Sequence, residues 1–211
     1  MGSCSSSGKG GGLGGGGEGL RDSDVLGTSN LLIDTALDET TRGEVNRVLK
    51  DFNDTYGIAY GNTRIARLKA GSNAMAYYDG EGIAINKKYL DSKTMNDAYK
   101  RCVESGFHPS SGSKSGMEAV VAHELGHALN DVIGSKMGSD IDKSAKTIVN
   151  EAMKNSRRTD VQKFASKISG YATKSYAETV AEAVADCYCN GKKAKAESKA
   201  INKVLNKYFN S

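Results

Sequence analysis

The sequence predicts a mostly helical α+β domain in which a small antiparallel sheet precedes the central helix. Three observations lead to this prediction. Apolar residues recur with a helical period through most of the second half of the chain. Short stretches rich in Ile, Ala and Tyr occur within residues 64–86, and hairpin-forming residues separate two of them. An apolar run at residues 118–129 has the composition of a helix that is covered on most sides.

Length and composition indicate one such domain behind a tail. The chain has 211 residues, of which 38% are hydrophobic and 26% are charged, as in a globular protein with a sizeable core. Residues 1–27, in contrast, are dominated by glycine and serine and cannot bury enough apolar surface to offset the entropy lost on ordering. We therefore expect a disordered tail at 1–27 and a single domain at 28–211.

The first helix is predicted within residues 28–56, because apolar positions recur there at helical spacing and Gly57 supplies a stop signal. The residues from Asp38 onward are typical of a helix start. Three short strands follow, and the Asp79-Gly80-Glu81-Gly82 sequence between the last two is typical of a hairpin. The strands are predicted at 64–69, 74–79 and 82–86.

Helices account for the rest of the domain. A short helix is predicted at 92–104, and a polar loop at 106–116 separates it from the apolar helix. Beyond the apolar helix the period favours four more helices, with Asp140, Thr159 and Ser175 as candidate N-caps. The four helices are predicted at 140–156, 159–169, 175–190 and 193–209, the last with an apolar stripe opposite a solvated face of lysines.

Charge and cysteine content exclude several classes of partner. The net charge of +4 is too small to favour nucleic-acid binding. No apolar stretch approaches about 18 residues and no signal-peptide segment is evident, which argues against a transmembrane segment and Sec-type export. The four cysteines form no Cys-x-x-Cys pair and are predicted to be free thiols in a reducing compartment, which favours the cytoplasm.

The most informative motif is His123-Glu124-Leu125-Gly126-His127, which fits the H-E-x-x-H pattern inside the apolar run. Histidines four residues apart share one face of a helix, so both imidazoles can bind one metal ion. The glutamate after the first histidine can reach a water on that ion, which is the arrangement that zinc-assisted peptide hydrolysis needs. The alternative is a core helix with two hydrogen-bonded histidines. Because two histidines and a carboxylate are costly to bury without a cation, a metal is favoured.

A third ligand is expected downstream, because a catalytic zinc site takes three protein ligands. Glu178, Glu182 and Asp186 are spaced by four along an otherwise apolar helix, where each would be buried without a cation. One carboxylate can bind the ion while the next accepts a hydrogen bond from a ligating histidine. The alternative is that Ser175 and Glu178 form a capping box while the later carboxylates face solvent.

His108 is the only histidine outside the motif, and it lies upstream in the polar loop. It faces either the cleft or solvent, and its place in a polar loop favours a surface histidine. Since no histidine lies downstream of the motif, the extended motif of the metzincins is not matched.

Residues 119–187 resemble the metal-site region of the anthrax lethal factor type of zinc peptidase. Metallopeptidases assigned by sequence in phages and bacteria carry similar stretches. In that family an H-E-x-G-H helix is followed by a tyrosine and, seven residues later, by a glutamate, a spacing that Tyr171 and Glu178 match. Thr179 and Val180 replace the usual aromatic pair of the family. Besides the H-E-x-x-H motif, the matching stretches are Ser169-Gly170-Tyr171-Ala172 and Ala177-Glu178-Thr179-Val180-Ala181-Glu182-Ala183.

This resemblance implies a zincin-like fold of the gluzincin type and a role for each matching residue. His123, His127 and Glu178 would bind one Zn²⁺ ion, and Glu124 would act as the general base. The expected function is hydrolysis of peptide bonds in a polypeptide substrate.

The resemblance also implies that Tyr171 stabilises the oxyanion and that Glu182 orients a ligating histidine. The alternative for Tyr171 is a tyrosine that packs its ring at the edge of the core. Two other functions remain open: a non-catalytic interaction protein that retains the fold, such as a phage-particle component, and a toxin protease domain that acts on a host protein. The expected location is the cytoplasm of a bacterium or of a phage-infected host cell, with association with the virion as the alternative.

Overall fold

The computed structural model describes residues 32–33, 37–58, 62–66, 73–80 and 82–210. The tail predicted at 1–27 lies outside these residues. The strands are β1 (Leu32–Ile33), β2 (Asn62–Ala66), β3 (Ala76–Tyr78) and β4 (Gly82–Asn86). The α-helices are α1 (Glu39–Tyr56), α2 (Ser92–Glu104), α3 (Gly116–Lys136), α4 (Ile141–Asn155), α5 (Val161–Ser166), α6 (Tyr176–Asn190) and α7 (Ala196–Phe209). Short 3₁₀ turns lie at Lys87–Tyr89, Tyr171–Lys174 and Gly191–Lys193. The predicted fold class, a mostly helical α+β domain with a small sheet, is confirmed.

The sheet has the strand order β1-β2-β4-β3 and is mixed. β3 and β4 form the predicted antiparallel hairpin, closed by a hydrogen bond of 3.3 Å from Asp79 N to Gly82 O. β1 and β2 join it in parallel, so the antiparallel arrangement does not extend beyond the hairpin. Parallel neighbouring strands need a crossover connection, which α1 supplies between β1 and β2. Turn residues in the sequence predict hairpins but do not predict this kind of connection. Leu32 and Ile33 lie in the range within which the first helix is predicted, ahead of its expected start at Asp38, and they form β1.

The first and last helices lie where the sequence predicts them. α1 begins after Asp38 and ends at Gly57, whose φ of 65° is in the left-handed region that favours glycine. α7 buries its apolar stripe against the domain and exposes its lysines. The stripe consists of Ile201, Val204 and Leu205, and the exposed lysines are Lys199, Lys203 and Lys207.

Two of the three predicted N-caps are confirmed. α4 begins after Asp140 and α6 after Ser175, and each cap side chain accepts a hydrogen bond from a backbone N–H of the first turn. α5 begins after Asp160 instead of Thr159 and is only 6 residues long. Both residue types make good caps, so the sequence does not decide between two adjacent candidates.

α3 is the central helix and is covered on most sides, as its sequence predicts. It packs against α1, α2, α4 and α6, and most of its side chains are buried. A capping box between Ser115 and Glu118 fixes its first turn. Within the described part of the chain, no helix combines the length and the apolar character needed to cross a membrane.

α3 and α6 approach each other at a glycine. A Cβ added at Gly126 would lie 2.7 Å from Cα of Ala181 and 3.2 Å from Cβ of Val184. Real Cβ atoms do not come that close to backbone, so the contact requires glycine. It lets the α6 backbone approach the helix that carries both motif histidines.

Gly126→Ala is expected to destabilise the domain, because the added methyl group would overlap the α6 backbone. Overpacking of this kind typically costs about 1–3 kcal/mol, and each kcal/mol lowers Tm by roughly 2–4 °C in a domain of this size. Gly43→Ala is the matched control, since Gly43 is exposed on α1 and a Cβ there meets nothing within 4 Å. Thermal unfolding followed by circular dichroism compares the two variants. Equal Tm values would contradict the close contact between α3 and α6.

The cysteines differ from one another. Cys187 and Cys189 carry free thiols, as predicted. Burial raises the pKa of each thiol to about 12, so neither is a reactive thiolate near neutral pH. Cys102 is fully buried within α2.

Candidate metal centre

α3 carries both motif histidines on one buried face. His123 and His127 lie one turn apart, with ring centroids 5.0 Å from each other. Ligand atoms of His123, Glu124 and His127 all lie within 4.8 Å of one another, and all three residues are buried. This buried group could hold a metal ion.

Glu178, in the first turn of α6, directs its carboxylate toward both histidines. Its Oε2 lies 3.2 Å from Nε2 of His123 and 3.4 Å from Nε2 of His127. Both distances exceed the about 2.7–2.9 Å of a charge-assisted hydrogen bond. Neither Oε2 of Glu178 nor Nε2 of His127 has a hydrogen-bond partner among the residues described. Burial favours the neutral acid, but the two imidazoles outweigh it and lower the pKa of Glu178 well below its usual value.

The spacing of the Glu178 oxygen from each imidazole nitrogen fits ligands of one tetrahedral metal ion. Nitrogen and oxygen ligands that lie about 2.0–2.1 Å from such an ion are about 3.3–3.4 Å from each other. Oε2 of Glu178 stands at 3.2 and 3.4 Å from the two imidazole nitrogens, which matches that spacing. Buried polar atoms without partners are costly, and a cation would satisfy them.

Glu182, one turn after Glu178, binds the opposite nitrogen of His123. The Nδ1–H group of His123 donates to Oε1 of Glu182 over 2.7 Å, and the Ser169 hydroxyl donates to Oε2 over 2.6 Å. Burial raises the pKa of Glu182, but His108 and His123 outweigh it and bring the pKa to about 2. An ionised carboxylate only accepts, so Nδ1 of His123 carries a proton, and Nε2 is the nitrogen that would bind a metal in place of a second proton.

The alternative of solvent-facing carboxylates on α6 is wrong. Glu178, Glu182 and Asp186 are only 6%, 1% and 2% exposed. Ser175 does cap α6 by accepting from Glu178 N, but the Glu178 side chain turns toward the histidines and not back to the cap. Asp186 accepts a hydrogen bond of 2.8 Å from Lys195 N, which places it at the junction with α7 and outside the site.

His108 is the residue whose surroundings the sequence predicts wrongly. A polar loop favours a surface histidine, yet His108 is 8% exposed and its Nδ1 lies 2.9 Å from Oε1 of Glu182. Its ring stacks on Tyr99 with centroids 5.4 Å apart. All three histidines of the chain therefore lie at this site. The neighbouring Phe107 packs against the core, but an apolar residue beside a histidine does not specify the contact with Glu182.

Tyr171 reaches the same carboxylate from a 3₁₀ turn. Its hydroxyl donates to Oε1 of Glu178 over 3.1 Å, and its ring packs on Phe107 with centroids 4.9 Å apart. Two backbone hydrogen bonds of 2.9 Å, which Gly106 and Phe107 accept, hold residues 170 and 171 in place. The hydroxyl therefore lies beside a candidate metal ligand, while the ring belongs to the core.

Glu124 lies next to the histidines with one oxygen unpaired. Its Oε1 has no hydrogen-bond partner within the described ranges, although the residue is fully buried. Burial raises the pKa of Glu124 and the Glu178 carboxylate adds to this, while the two imidazoles and the backbone N–H of Tyr78 oppose it. A carboxylate with a raised pKa and an unpaired oxygen is suited to proton transfer near neutral pH.

Strand β3, which lies at the edge of the described sheet, borders this carboxylate. Among the described strands only β4 pairs with β3. At one end of the pair the N–H of Asn86 donates to the C=O of Met75, and at the other end the N–H of Asp79 donates to the C=O of Gly82. The backbone groups of residues 75 and 79 therefore point toward β4. Because backbone directions alternate along a strand, residues 76 and 78 turn their N–H and C=O groups to the other side. The N–H of Tyr78 accordingly reaches Glu124.

Comparisons with known proteins add no family to these observations. No protein-family model matches the chain, and no curated protein or solved structure does so either. The function therefore has to be argued from the chemistry of the site.

Proposed function

We propose that this protein is a zinc-dependent peptidase whose metal is bound by His123, His127 and Glu178. One observation carries the proposal: a buried carboxylate oxygen of Glu178 lies at ligand spacing from both imidazole nitrogens, and the unpaired oxygen of Glu124 lies in the same buried group. Two histidines and a glutamate, with a second glutamate as base, are the catalytic set of thermolysin-type zinc enzymes. A zinc site in a non-catalytic interaction protein has no need of the Glu124 carboxylate.

The residues of the chain supply the proton transfers. Zinc bound here would lower the pKa of its water toward neutrality and polarise the scissile carbonyl. Glu124 takes a proton from the attacking water and passes it to the leaving amine, a role that its raised pKa supports. Glu182 keeps the His123 proton on Nδ1. The Tyr171 hydroxyl, which lies 3.1 Å from Oε1 of Glu178, donates to the oxyanion as its charge develops.

An extended polypeptide segment is the substrate that suits the surroundings of the site. The outward N–H and C=O groups of Ala76 can pair with such a segment and add it to the sheet as a further strand, whereas the N–H of Tyr78 is held by Glu124. Since β3 packs against α3 and the N–H of Tyr78 reaches Glu124, a peptide on this edge would pass the catalytic carboxylate. Main-chain pairing provides affinity for any sequence, and side-chain pockets along the strand set preference.

A proteome-wide cleavage experiment tests the proposed activity. Zinc-loaded protein is incubated with a denatured bacterial proteome, and new peptide N-termini are identified by mass spectrometry. We expect new termini with the wild-type chain, none with Glu124→Gln, and loss of cleavage on chelation that added zinc reverses. Identical profiles for wild type and Glu124→Gln would contradict the proposal.

Tyr171→Phe is expected to lower kcat and to leave zinc content unchanged. Loss of one oxyanion donor typically costs about 10²- to 10³-fold in kcat, whereas the phenylalanine ring keeps the packing on Phe107. Steady-state kinetics on a cleaved peptide and zinc analysis by mass spectrometry measure the two quantities. An unchanged kcat would leave Tyr171 with a packing role only.

A further inference from the structure

We propose that His108 is a positioning residue of the metal centre: it fixes the Glu182 carboxylate, which in turn orients the His123 ring. The inference rests on the proposed zinc site, because the orientation of His123 matters only if its Nε2 binds a metal. It assigns a function to a loop histidine that no sequence pattern marked.

Glu182 is the point at which the two histidines meet. Its Oε1 accepts from Nδ1–H of His108 at 2.9 Å and from Nδ1–H of His123 at 2.7 Å. Its Oε2 accepts from the Ser169 hydroxyl at 2.6 Å. Three donors on two oxygens define both the position and the rotation of a fully buried carboxylate. Loss of the His108 donor would leave Oε1 held by the metal-binding histidine alone.

His108 is itself held rigidly, as a positioning residue must be. Its ring stacks on Tyr99 at an interplanar angle of 9°. The Tyr99 hydroxyl donates to Pro109 O over 3.0 Å, which ties the stacking partner to the same loop. The N–H groups of Phe107 and His108 both lie within hydrogen-bond distance of Cys102 O, at 2.8 and 3.3 Å. The loop that carries His108 is therefore anchored to the end of α2.

The same ring also faces the reactive side chains. His108, His123 and Glu124 line one small cavity. The His108 ring meets the Tyr171 ring edge to face, with centroids 5.3 Å apart. A change at His108 can therefore act through its hydrogen bond or through its packing, and the test has to separate the two.

Three substitutions separate donor from packing. His108→Phe keeps an aromatic ring between Tyr99 and Tyr171 but removes the donor. His108→Asn places an amide N–H where Nδ1 stands, and His108→Leu has the branched shape of Asn without any donor. The Asn and Leu variants decide the question even if the Phe variant does not fold, since both have the same branched shape and only Asn supplies a donor.

The readouts are zinc affinity, measured by competition with a chromophoric chelator, and the visible spectrum of the Co²⁺-substituted protein, which reports ligand geometry. We expect the Phe and Leu variants to bind zinc up to about 10-fold more weakly than wild type, less than the roughly 10- to 100-fold typical for loss of a residue that binds a metal ligand directly, and to show a shifted Co²⁺ spectrum. The Asn variant should recover most of the affinity and the wild-type spectrum. Thermal unfolding of each variant establishes that the comparison is made on folded protein.

The outcomes distinguish this inference from the proposed function. Wild-type affinity and spectrum in the Leu variant, or an Asn variant as weak as the Leu variant, would overturn the positioning role and leave the zinc site intact. A wild-type chain that binds neither zinc nor Co²⁺ would overturn the proposed function together with this inference. Neither readout depends on peptide cleavage.

Discussion

Glu124→Gln is expected to abolish peptide hydrolysis and to leave the metal in place. An amide cannot accept the proton of the attacking water, and general acid–base catalysis typically contributes about 10²- to 10⁴-fold to the rate. Glutamine has the size of glutamate, and its carbonyl oxygen can still accept from the N–H of Tyr78. The kcat/KM value for a cleaved peptide and the zinc content per chain measure the two effects.

Two results would contradict this prediction. A kcat/KM within about tenfold of wild type would exclude Glu124 as the base, because the general base contributes more than that. Loss of zinc together with activity would make Glu124 a ligand, an arrangement that the 4.8 Å grouping of its carboxylate with His123 and His127 permits. Retention of zinc therefore assigns Glu124 to proton transfer and the third ligand to another residue.

Glu178→Ala is expected to abolish stable zinc binding, whereas Glu182→Ala should only weaken it. Glu178 supplies a donor atom 3.2 and 3.4 Å from the two imidazole nitrogens. Glu182 acts through Nδ1 of His123, and loss of such an outer partner typically costs about 10- to 100-fold in metal affinity. Zinc dissociation constants from chelator competition separate the two effects.

Asp186→Asn is the matched control for this pair. Asp186 is a buried carboxylate on the same helix, one turn beyond Glu182, and it binds Lys195 N and not a histidine. We expect zinc affinity to be unchanged by this substitution. If Glu178→Ala kept the zinc affinity and Glu182→Ala lost it, Glu182 and not Glu178 would be the third ligand. An effect of Asp186→Asn as large as that of Glu178→Ala would show that the helix, and not a ligand, had been disturbed.

The parts of the site that could be predicted are those that local periodicity encodes. His123 and His127 are four residues apart within one helix, so their common face follows from helix geometry alone. Glu178 and Glu182 could be predicted because a carboxylate on an apolar helix requires a partner. α3 and α6 meet at Gly126, and this contact brings the carboxylates of α6 to the histidines of α3. The sequence of either helix alone does not predict the contact.

The parts that could not be predicted depend on contacts between distant segments. His108 and Glu182 are separated by 74 positions in the chain, and nothing within the loop of His108 specifies that contact. Ser169 was quoted only as part of a resemblance, although its hydroxyl holds Oε2 of Glu182. The parallel addition of β1 and β2 likewise depends on a crossover through α1, while the hairpin of β3 and β4 is local and was predicted correctly.

Zinc K-edge X-ray absorption of the zinc-loaded protein tests the proposed centre most directly, since it reports the type of each ligand atom and its distance. We expect one zinc per chain, with two imidazole nitrogens and carboxylate oxygen at about 2.0–2.2 Å and no sulfur. The same measurement on His123→Ala should show no protein-bound zinc. A zinc–sulfur distance of about 2.3 Å, or a wild-type chain that retains no zinc, would contradict the assignment of His123, His127 and Glu178 as a catalytic zinc site.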